Sequence, residues 1–429
     1  MAKRIKKIQG SDNFKKYFRD PIYNFISITE RWILDLINSR EFQRLRYIKQ
    51  LGTSDVTYYG ANHTRFSHSI GTMYLMDRAL SQLKRVININ NETRMIGLAA
   101  ALLHDVGHGP FSHVFEKVVS TKHETWTNDI ILGDTEINKT LKNIDKAFPQ
   151  KVASVIKKEY RHRYLSYLLS SQLDVDRMDY LLRDSYYVGV KYGLFDVDML
   201  IKSLLVDADK ITLDYKGLYS VEQYVYARYY MYWQVYYHKT TRGYELLLQN
   251  ILKRAKYLYK TDSLDLKVDI LTPIFRKEKM ELDDYLRLND NVILYAILLW
   301  KDSRDKILSD LCNKYLNRNL YKAYELSSLV SLDEIKEKIK SYGMCDDYYL
   351  AIDKPSNVTY DYYVEGEEGE KPPILINKKG KINSITRFSE SIKAISGNRE
   401  IKYFLYFPRE SYDGKNISDE IISYLEGLE

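Results

Sequence analysis

At 429 residues, with 45% apolar and 29% charged side chains, the chain can bury a large core plus an appended module and is too apolar for a disordered segment. A net charge of +7 suits polyanionic small molecules or nucleic acid without choosing between them. Cys312 and Cys345, the only cysteines, exclude a disulfide framework and a Cys-based zinc site and point to a reducing, cytoplasmic setting.

Residues 1–15 form a basic tail, Met1-Ala2-Lys3-Arg4-Ile5-Lys6-Lys7, without the apolar core of a signal peptide. Apolar periodicity then predicts helices over about 30–51, 68–86, 92–108, 122–132, 163–184, 220–260 and 289–316, with extended pieces at 22–28 and 210–218. The longest apolar runs, such as 292–300, fall short of the roughly 18 residues a membrane span needs. No membrane partner is therefore expected. Beyond about residue 345 the texture changes, and 348–352, 359–364, 373–376 and 402–407 read as strands around a polar loop at 365–371. The expectation is a mainly α protein in which a helical core, residues 16–270, precedes a smaller C-terminal α+β module, residues 271–429. Tyr is abundant, 40 residues against 13 Phe, and most of these rings are read as packing surface or composition bias.

Five of the eight histidines, His68, His104, His108, His113 and His123, fall within 56 residues of chain. Imidazole is the commonest transition-metal ligand and transfers protons near neutral pH. At the centre stands His104-Asp105-Val106-Gly107-His108-Gly109-Pro110, following a segment, 96–103, that is apolar on all sides and so expected to be buried. Two ligands at the end of such a helix would sit in a dry, rigid place. A second constellation lies in residues 173–184, where Asp176, Tyr180 and Asp184 recur at four-residue steps on one helix face. Alone, that pattern reads better as a solvated face of charge pairs.

The ordered set His68, His104-Asp105 and Asp176 resembles the H…HD…D metal signature of HD-domain phosphohydrolases. Asp20-Pro21-Ile22, the run Glu41-Phe42-Gln43-Arg44-Leu45-Arg46-Tyr47-Ile48-Lys49-Gln50-Leu51-Gly52, Arg65-Phe66-Ser67-His68-Ser69 and residues 104–113 are similar to one branch of it. That branch contains the SAM-and-HD-domain deoxynucleoside triphosphate triphosphohydrolase and its bacterial homologues, and the likeness runs from about residue 16 to about 240. It implies an HD-domain helical core in which His68, His104, Asp105 and Asp176 hold Fe, Mn, Ni, Co or Zn, while Mg²⁺ or Mn²⁺ accompanies the substrate. The implied reaction is hydrolysis of a deoxynucleoside triphosphate at its α-phosphorus, releasing deoxynucleoside and inorganic triphosphate.

The same resemblance implies roles for further residues. His113 becomes the candidate general acid with Glu116 behind it, although the family has aspartate at that position. His108, His123, Arg65 and Arg177 would contact phosphate. Gln50, Leu51, Tyr180 and Asp184 would line the sugar. Arg228, Tyr232 and Tyr236 share a face of a substrate-lining helix, with Tyr232 standing where relatives carry His. Lys16, Asn38, Gln43 and Arg46 match a nucleotide-activator site, but Asn38 replaces the carboxylate that reads guanine, which argues against guanine specificity. A homo-oligomer, dimer or tetramer, goes with that branch. The metal site by itself also suits a nucleoside monophosphate, a cyclic dinucleotide or an alarmone. The basic tail and the charge leave a nucleotide-sensing or nucleic-acid-binding role as the reading from another class.

Overall fold

A computed structural model describes residues 14–276, 280–327, 331–358, 373–397 and 399–427. The basic tail up to residue 13, the strand expected at 359–364 and the loop at 365–371 lie outside the described residues. The chain is mainly α, with a helical core and a mixed C-terminal region. Among the described residues no helix is long and apolar enough to cross a membrane.

The chain opens with a hairpin, β1 (Lys16–Asp20) and β2 (Asn24–Ile28), paired antiparallel with Lys16 opposite Ile28. The sequence foresaw only the second strand. The helix expected at 30–51 is cut into α1 (Arg31–Asn38) and α2 (Arg40–Gln43), followed by one tighter turn. Ser39 makes the cut: its hydroxyl donates to the Leu36 carbonyl and accepts from Phe42 N–H, closing one helix and capping the next. Beyond it the backbone becomes extended, and Lys49 bridges Thr64. α3 (Arg65–Leu83) and α4 (Asn91–Leu103) follow, so the helix expected to reach residue 108 ends five residues early.

α5 (His113–Val119), α6 (His123–Leu132), α7 (Glu136–Ile144) and α8 (Phe148–Ile156) come next. The helix expected at 163–184 divides into α9 (Arg163–Leu169) and α10 (Val175–Val188). Asp174 divides it by accepting the N–H groups of Ser171 and Arg177, both at 2.7 Å, as an N-cap. After α11 (Val197–Ser203), β3 (Leu204–Asp207) and β4 (Lys210–Asp214), the long helix expected at 220–260 is interrupted too. It runs as α12 (Leu218–Met231), a π-helical turn over Tyr232–Tyr236, and α13 (Lys239–Lys260) capped by His238.

The remainder comprises α14 (Thr272–Arg276), α15 (Leu282–Leu286), α16 (Asp290–Trp300), α17 (Lys306–Leu316), α18 (Asp333–Ser341), α19 (Asp346–Tyr349), α20 (Glu390–Ile395) and α21 (Ser418–Glu426). Asp305 splits the helix expected at 289–316 by capping α17 at Leu308 N–H. The strand expected at 348–352 is half helix, because only β6 (Ala351–Asp353) is extended. β5 (Lys322–Leu326), β11 (Tyr403–Phe407) and β6 form a three-stranded antiparallel sheet. β7 (Ser356–Val358) pairs with β10 (Arg399–Ile401).

Two apolar cores result. The first gathers α1, α3, α4, α8, α9 and α10, and the second gathers α13, α16, α17 and the three-stranded sheet. They do not divide the chain at one point. The hairpin of β8 (Leu375–Lys378) and β9 (Lys381–Ser384) returns to extend the β3–β4 pair through a parallel β4–β8 ladder, and Ile376, Ile385 and Ile392 enter the first core. In the other direction, Phe111, Phe115 and Trp126 enter the second core.

One carboxylate ties these parts together beside the histidine cluster. Asp290, in the first turn of α16, accepts Lys49 N–H at 2.9 Å and Phe111 N–H at 2.8 Å. Burial pushes it up to about 6, despite both hydrogen bonds and the charges of Lys49 and Arg65. Between the ordinary value near 3.8 and about 6, the folded chain therefore holds a proton that the unfolded chain has lost. Asp290 thus favours the folded state increasingly as pH falls through that window. Denaturant titrations at pH 4 and pH 6 should show this contribution in the parent and not in Asp290→Asn. Identical pH dependence in both proteins would disprove it.

Candidate metal centre and active site

Three elements bring the first ligands together. His68 lies on the first turns of α3, His104 and Asp105 follow the C-terminus of α4, and Asp176 stands on the first turn of α10. His68 Nε2 is 3.1 Å from Asp176 Oδ1 and 3.8 Å from Asp105 Oδ2. His104 Nε2 is 3.5 Å from Asp176 Oδ1 and 3.4 Å from Asp105 Oδ1. The opposite ring nitrogens are engaged, His68 Nδ1 with Asp179 Oδ2 at 2.8 Å and His104 Nδ1 with the Ala101 carbonyl at 2.9 Å. Both Nε2 atoms are buried and find no hydrogen-bond partner among the described residues. Two imidazole nitrogens converging with the Asp176 carboxylate, with Asp105 3.4 Å from His104, are donors that suit a divalent transition metal, and the residues present fit such an ion.

The electrostatics carry the same message. Burial alone would lower His68, but the neighbouring carboxylates Asp176 and Asp179 push it up to about 10. Burial likewise opposes charge on Asp176, yet the two histidines hold it well below the usual carboxylate range. Asp105 is held down in the same way, by His104 and by an ion pair with Arg65. Raised histidines beside lowered carboxylates show that the cleft favours positive charge where the two imidazoles meet Asp105 and Asp176.

Asp179 received no role from the sequence, although it lies in the segment singled out. It accepts from His68, from Tyr23 Oη at 2.8 Å, and from Arg183 at 2.8 and 2.9 Å, and Arg183 also pairs with Asp20 at 2.9 Å. Burial would raise Asp179, but the charge of Arg183 and the His68 hydrogen bond outweigh it and set it at about 2. Its signal was present: Arg183 lies four residues on, one helical turn away.

The histidine-rich turn is buttressed from both sides. Gly107 N–H donates to Thr127 Oγ1 at 3.1 Å, and Tyr285 Oη donates to the Gly107 carbonyl at 2.6 Å. A Cβ at Gly107 would overlap the His123 carbonyl and the Thr127 backbone nitrogen. Phe111 and Ser112 then adopt left-handed backbone, φ 49° and 50°, a strained pair in non-glycine residues. The Asp290 bond to Phe111 and the Arg65 guanidinium, 2.8 and 3.1 Å from Ser112 Oγ, hold it.

His113 emerges from this turn exposed, and its Nδ1 is 3.1 Å from Glu116 Oε2. Glu116 also holds His123, which is mostly buried, at 2.7 Å. Burial would raise Glu116, but the two histidine bonds keep it well below the usual range. His123 stacks on His108 with centroids 3.8 Å apart. Burial and the charge of Arg65 press His108 well below the ordinary imidazole value, and its Nε2 lies 3.3 Å from Asp105.

On the far side of the cleft the Tyr180 ring lies 6.5 Å from that of His68 and 6.1 Å from that of Tyr236. Tyr236 Oη donates to Asp184 Oδ2 at 2.8 Å, and Asp184 Oδ1 lies 2.7 Å from His63 Nε2. Tyr236 packs on Tyr232, and Arg228 lies over the Tyr232 ring at 5.6 Å with its Nε buried and unpartnered among the described residues. Gln50 has a buried, unpartnered Oε1 beside the half-buried Leu51. Arg177 is committed locally, to Asp174 and to the Ser171 carbonyl at 2.7 Å. Gln43 and Arg46 hydrogen-bond each other at 2.8 Å, while Lys16 and Asn38 are exposed.

A helical core that converges His68, His104 and Asp176 on one point, with Asp105 beside them, defines a metal-dependent hydrolase class of site. Residues 65–184 match the family described as HD domain, and residues 195–346 the HD associated region. The chain is 42% identical to the uncharacterized protein YwfO of Bacillus subtilis over 94% of each chain. It is 27% identical to the deoxynucleoside triphosphate triphosphohydrolase SAMHD1 homolog of Dictyostelium discoideum, over 76% of this chain and 63% of that one. A crystal structure of a phosphohydrolase from Bacteroides thetaiotaomicron superposes with a TM-score of 0.83 at 34% identity, covering 92% of this chain and all of that one. The chain belongs to the HD-domain phosphohydrolase family.

If Asp179 orients His68 toward the cation, Asp179→Asn should weaken divalent metal affinity by ~10–100-fold, the usual worth of such a partner. Competition with a chelator measures this. An unchanged affinity would show that His68 needs no orienting carboxylate.

Proposed function

We propose that this protein hydrolyses deoxynucleoside triphosphates to deoxynucleoside and inorganic triphosphate. The observation that carries the reading is the adjacency of two constellations along α10. Asp176 enters the metal cluster, and four and eight residues later on the same helix face stand Tyr180, its ring 6.5 Å from that of His68, and Asp184, bound by Tyr236, a pair suited to a sugar. The SAMHD1 homolog among the relatives, named as a deoxynucleoside triphosphate triphosphohydrolase, supports the same substrate class.

His68, His104, Asp105 and Asp176 would hold the ion, whether Fe, Mn, Ni, Co or Zn. When bound, it makes water a competent nucleophile at neutral pH and offsets phosphate charge. Arg65, His108 and Arg228 line the cleft as phosphate donors, and Mg²⁺ or Mn²⁺ enters with the nucleotide. Arg177 joins them only if it leaves its bond to Ser171. Asp184 accepts from the sugar 3′-hydroxyl and Gln50 hydrogen-bonds it, while the Tyr180 ring fills the place of a 2′-hydroxyl, with Leu51, Tyr232 and Tyr236 closing the pocket.

Proton delivery to the leaving 5′-oxygen falls to the pair that shares Glu116. His113 is the exposed member and can swing toward a bound substrate. His123 is the better held, by the shorter bond to Glu116 and by its stack on His108. An oligomer with a nucleotide activator near Lys16, Asn38, Gln43 and Arg46 belongs to the same proposal, as does the division into a 16–270 core and a 271–429 module.

The test is product analysis with each deoxynucleotide, alone and mixed, before and after metal removal. Triphosphate release that stops on chelation and returns with Mn²⁺ is expected. Release of orthophosphate or pyrophosphate, or turnover without metal, would overturn the reading. A second measurement separates the acid: His113→Ala should lower turnover by ~10²–10⁴ while sparing metal content and KM. If His113→Ala mainly raises KM and His123→Ala takes the turnover loss, the roles are exchanged.

A further inference from the structure

We infer that His63, a residue outside the metal cluster, is the positioning residue of the sugar pocket and makes substrate recognition depend on a 3′-hydroxyl. The inference rests on the proposed nucleotide reading of that pocket and adds to it a residue that holds both of the pocket's polar walls. The His63 side chain is fully buried. Its Nε2 lies 2.7 Å from Asp184 Oδ1, and its backbone carbonyl accepts Gln50 N–H at 3.0 Å. That second bond belongs to a short ladder in which Lys49 bridges Thr64 and Arg65 N–H reaches the Ile48 carbonyl. One residue thus fixes Gln50 through its backbone and Asp184 through its ring, across 121 residues of chain.

The hydrogen-bond inventory sets the direction of each bond. An ionised Asp184 can only accept, so Tyr236 Oη donates to Oδ2 and His63 Nε2–H donates to Oδ1. Nδ1 is then the bare nitrogen, and it is buried with no partner among the described residues. The ring is kept flat by stacking on Tyr187, with centroids 4.5 Å apart and planes 16° apart. Each Asp184 oxygen therefore has one protein donor and one accepting direction left. The carboxylate cannot turn about its own axis without breaking a bond, so the acceptor directions left to it are fixed in orientation. A ligand group placed there must be a donor, which a sugar hydroxyl is and a 3′-hydrogen is not.

Two substitutions separate the ring's packing from its donor. His63→Phe keeps an aromatic face against Tyr187 and loses the N–H. His63→Gln keeps an amide N–H at about the reach of Nε2. The experiment compares a 2′-deoxynucleoside triphosphate with its 2′,3′-dideoxy counterpart for kcat and KM. The corresponding deoxynucleoside and dideoxynucleoside are titrated alongside, so that discrimination is read even without turnover. Metal content and melting temperature report the fold of each variant. The wild type should prefer the 3′-hydroxyl compounds. His63→Phe should lose roughly 10-fold of that preference, almost wholly in KM, while handling the dideoxy compounds as the wild type does. His63→Gln should restore most of it.

A wild type blind to the 3′-hydroxyl in both assays overturns the inference together with the sugar-pocket reading. A wild type that discriminates, joined by a His63→Phe variant that discriminates equally, overturns the inference alone. So does an equal loss on both sugars, which is what a merely structural residue would give.

Discussion

Two carboxylates, Asp105 and Asp176, are held against buried imidazole nitrogens that have no hydrogen-bond partner among the described residues, and much of the fold's connectivity keeps them there. Charges so placed are costly unless compensated. The compensation is built in shells. His68 is backed by Asp179, Asp179 by Arg183 and Tyr23, and Arg183 by Asp20 at the end of the first strand. The hairpin at the start of the chain therefore belongs to the metal centre, although none of its residues approaches the ligands. Gly71 on α3 is part of the same construction, because a Cβ there would overlap Asp179 and Arg183.

The C-terminal region braces the other half of the cleft. The turn after α4 cannot be helical, since its backbone must aim His104, Asp105 and His108 inward and release His113 outward. Such a turn leaves backbone groups unpaired, and buried unpaired groups are expensive. Tyr285 takes the Gly107 carbonyl, Asp290 takes Phe111 N–H, and Arg44, pinned to the Leu288 carbonyl at 2.7 Å, lies over the Tyr285 ring. The histidine turn is thus completed by residues about 180 positions away, which explains why the two apolar cores interleave.

The histidine cluster, the Asp-rich helix and the dominance of α-helix were all legible in the sequence, because each is a matter of residue type at short spacing. Helix length was not. The four longest helices predicted from apolar periodicity are in fact divided, at Ser39, at Asp174, near His238 and at Asp305, where a side chain accepts a backbone N–H and restarts the helix. Apolar periodicity runs straight through such caps. Asp179 and Arg183 carried a visible signal in their four-residue spacing. His63 and Asp290 carried none, since their meaning lies in partners 121 and 179 residues distant. The strands β4 and β8 pair in parallel across more than 150 residues, a contact no local pattern encodes.

α10 shows why the separate parts behave as one site. Asp176, Tyr180 and Asp184 occupy one face at single-turn steps, about 6 Å apart, and Asp179 and Arg183 occupy the next. A helix is stiff along its axis. On the proposed reading, the distance between the metal and the sugar carboxylate is therefore fixed by two turns of backbone rather than by side-chain choice. The phosphate that bridges them must match that length. A nucleotide whose sugar cannot dock at Asp184 would then lose the anchor that sets this register, so recognition at one end governs binding at the other. The Tyr236 and His63 bonds prevent the only inexpensive escape, rotation of the Asp184 carboxylate.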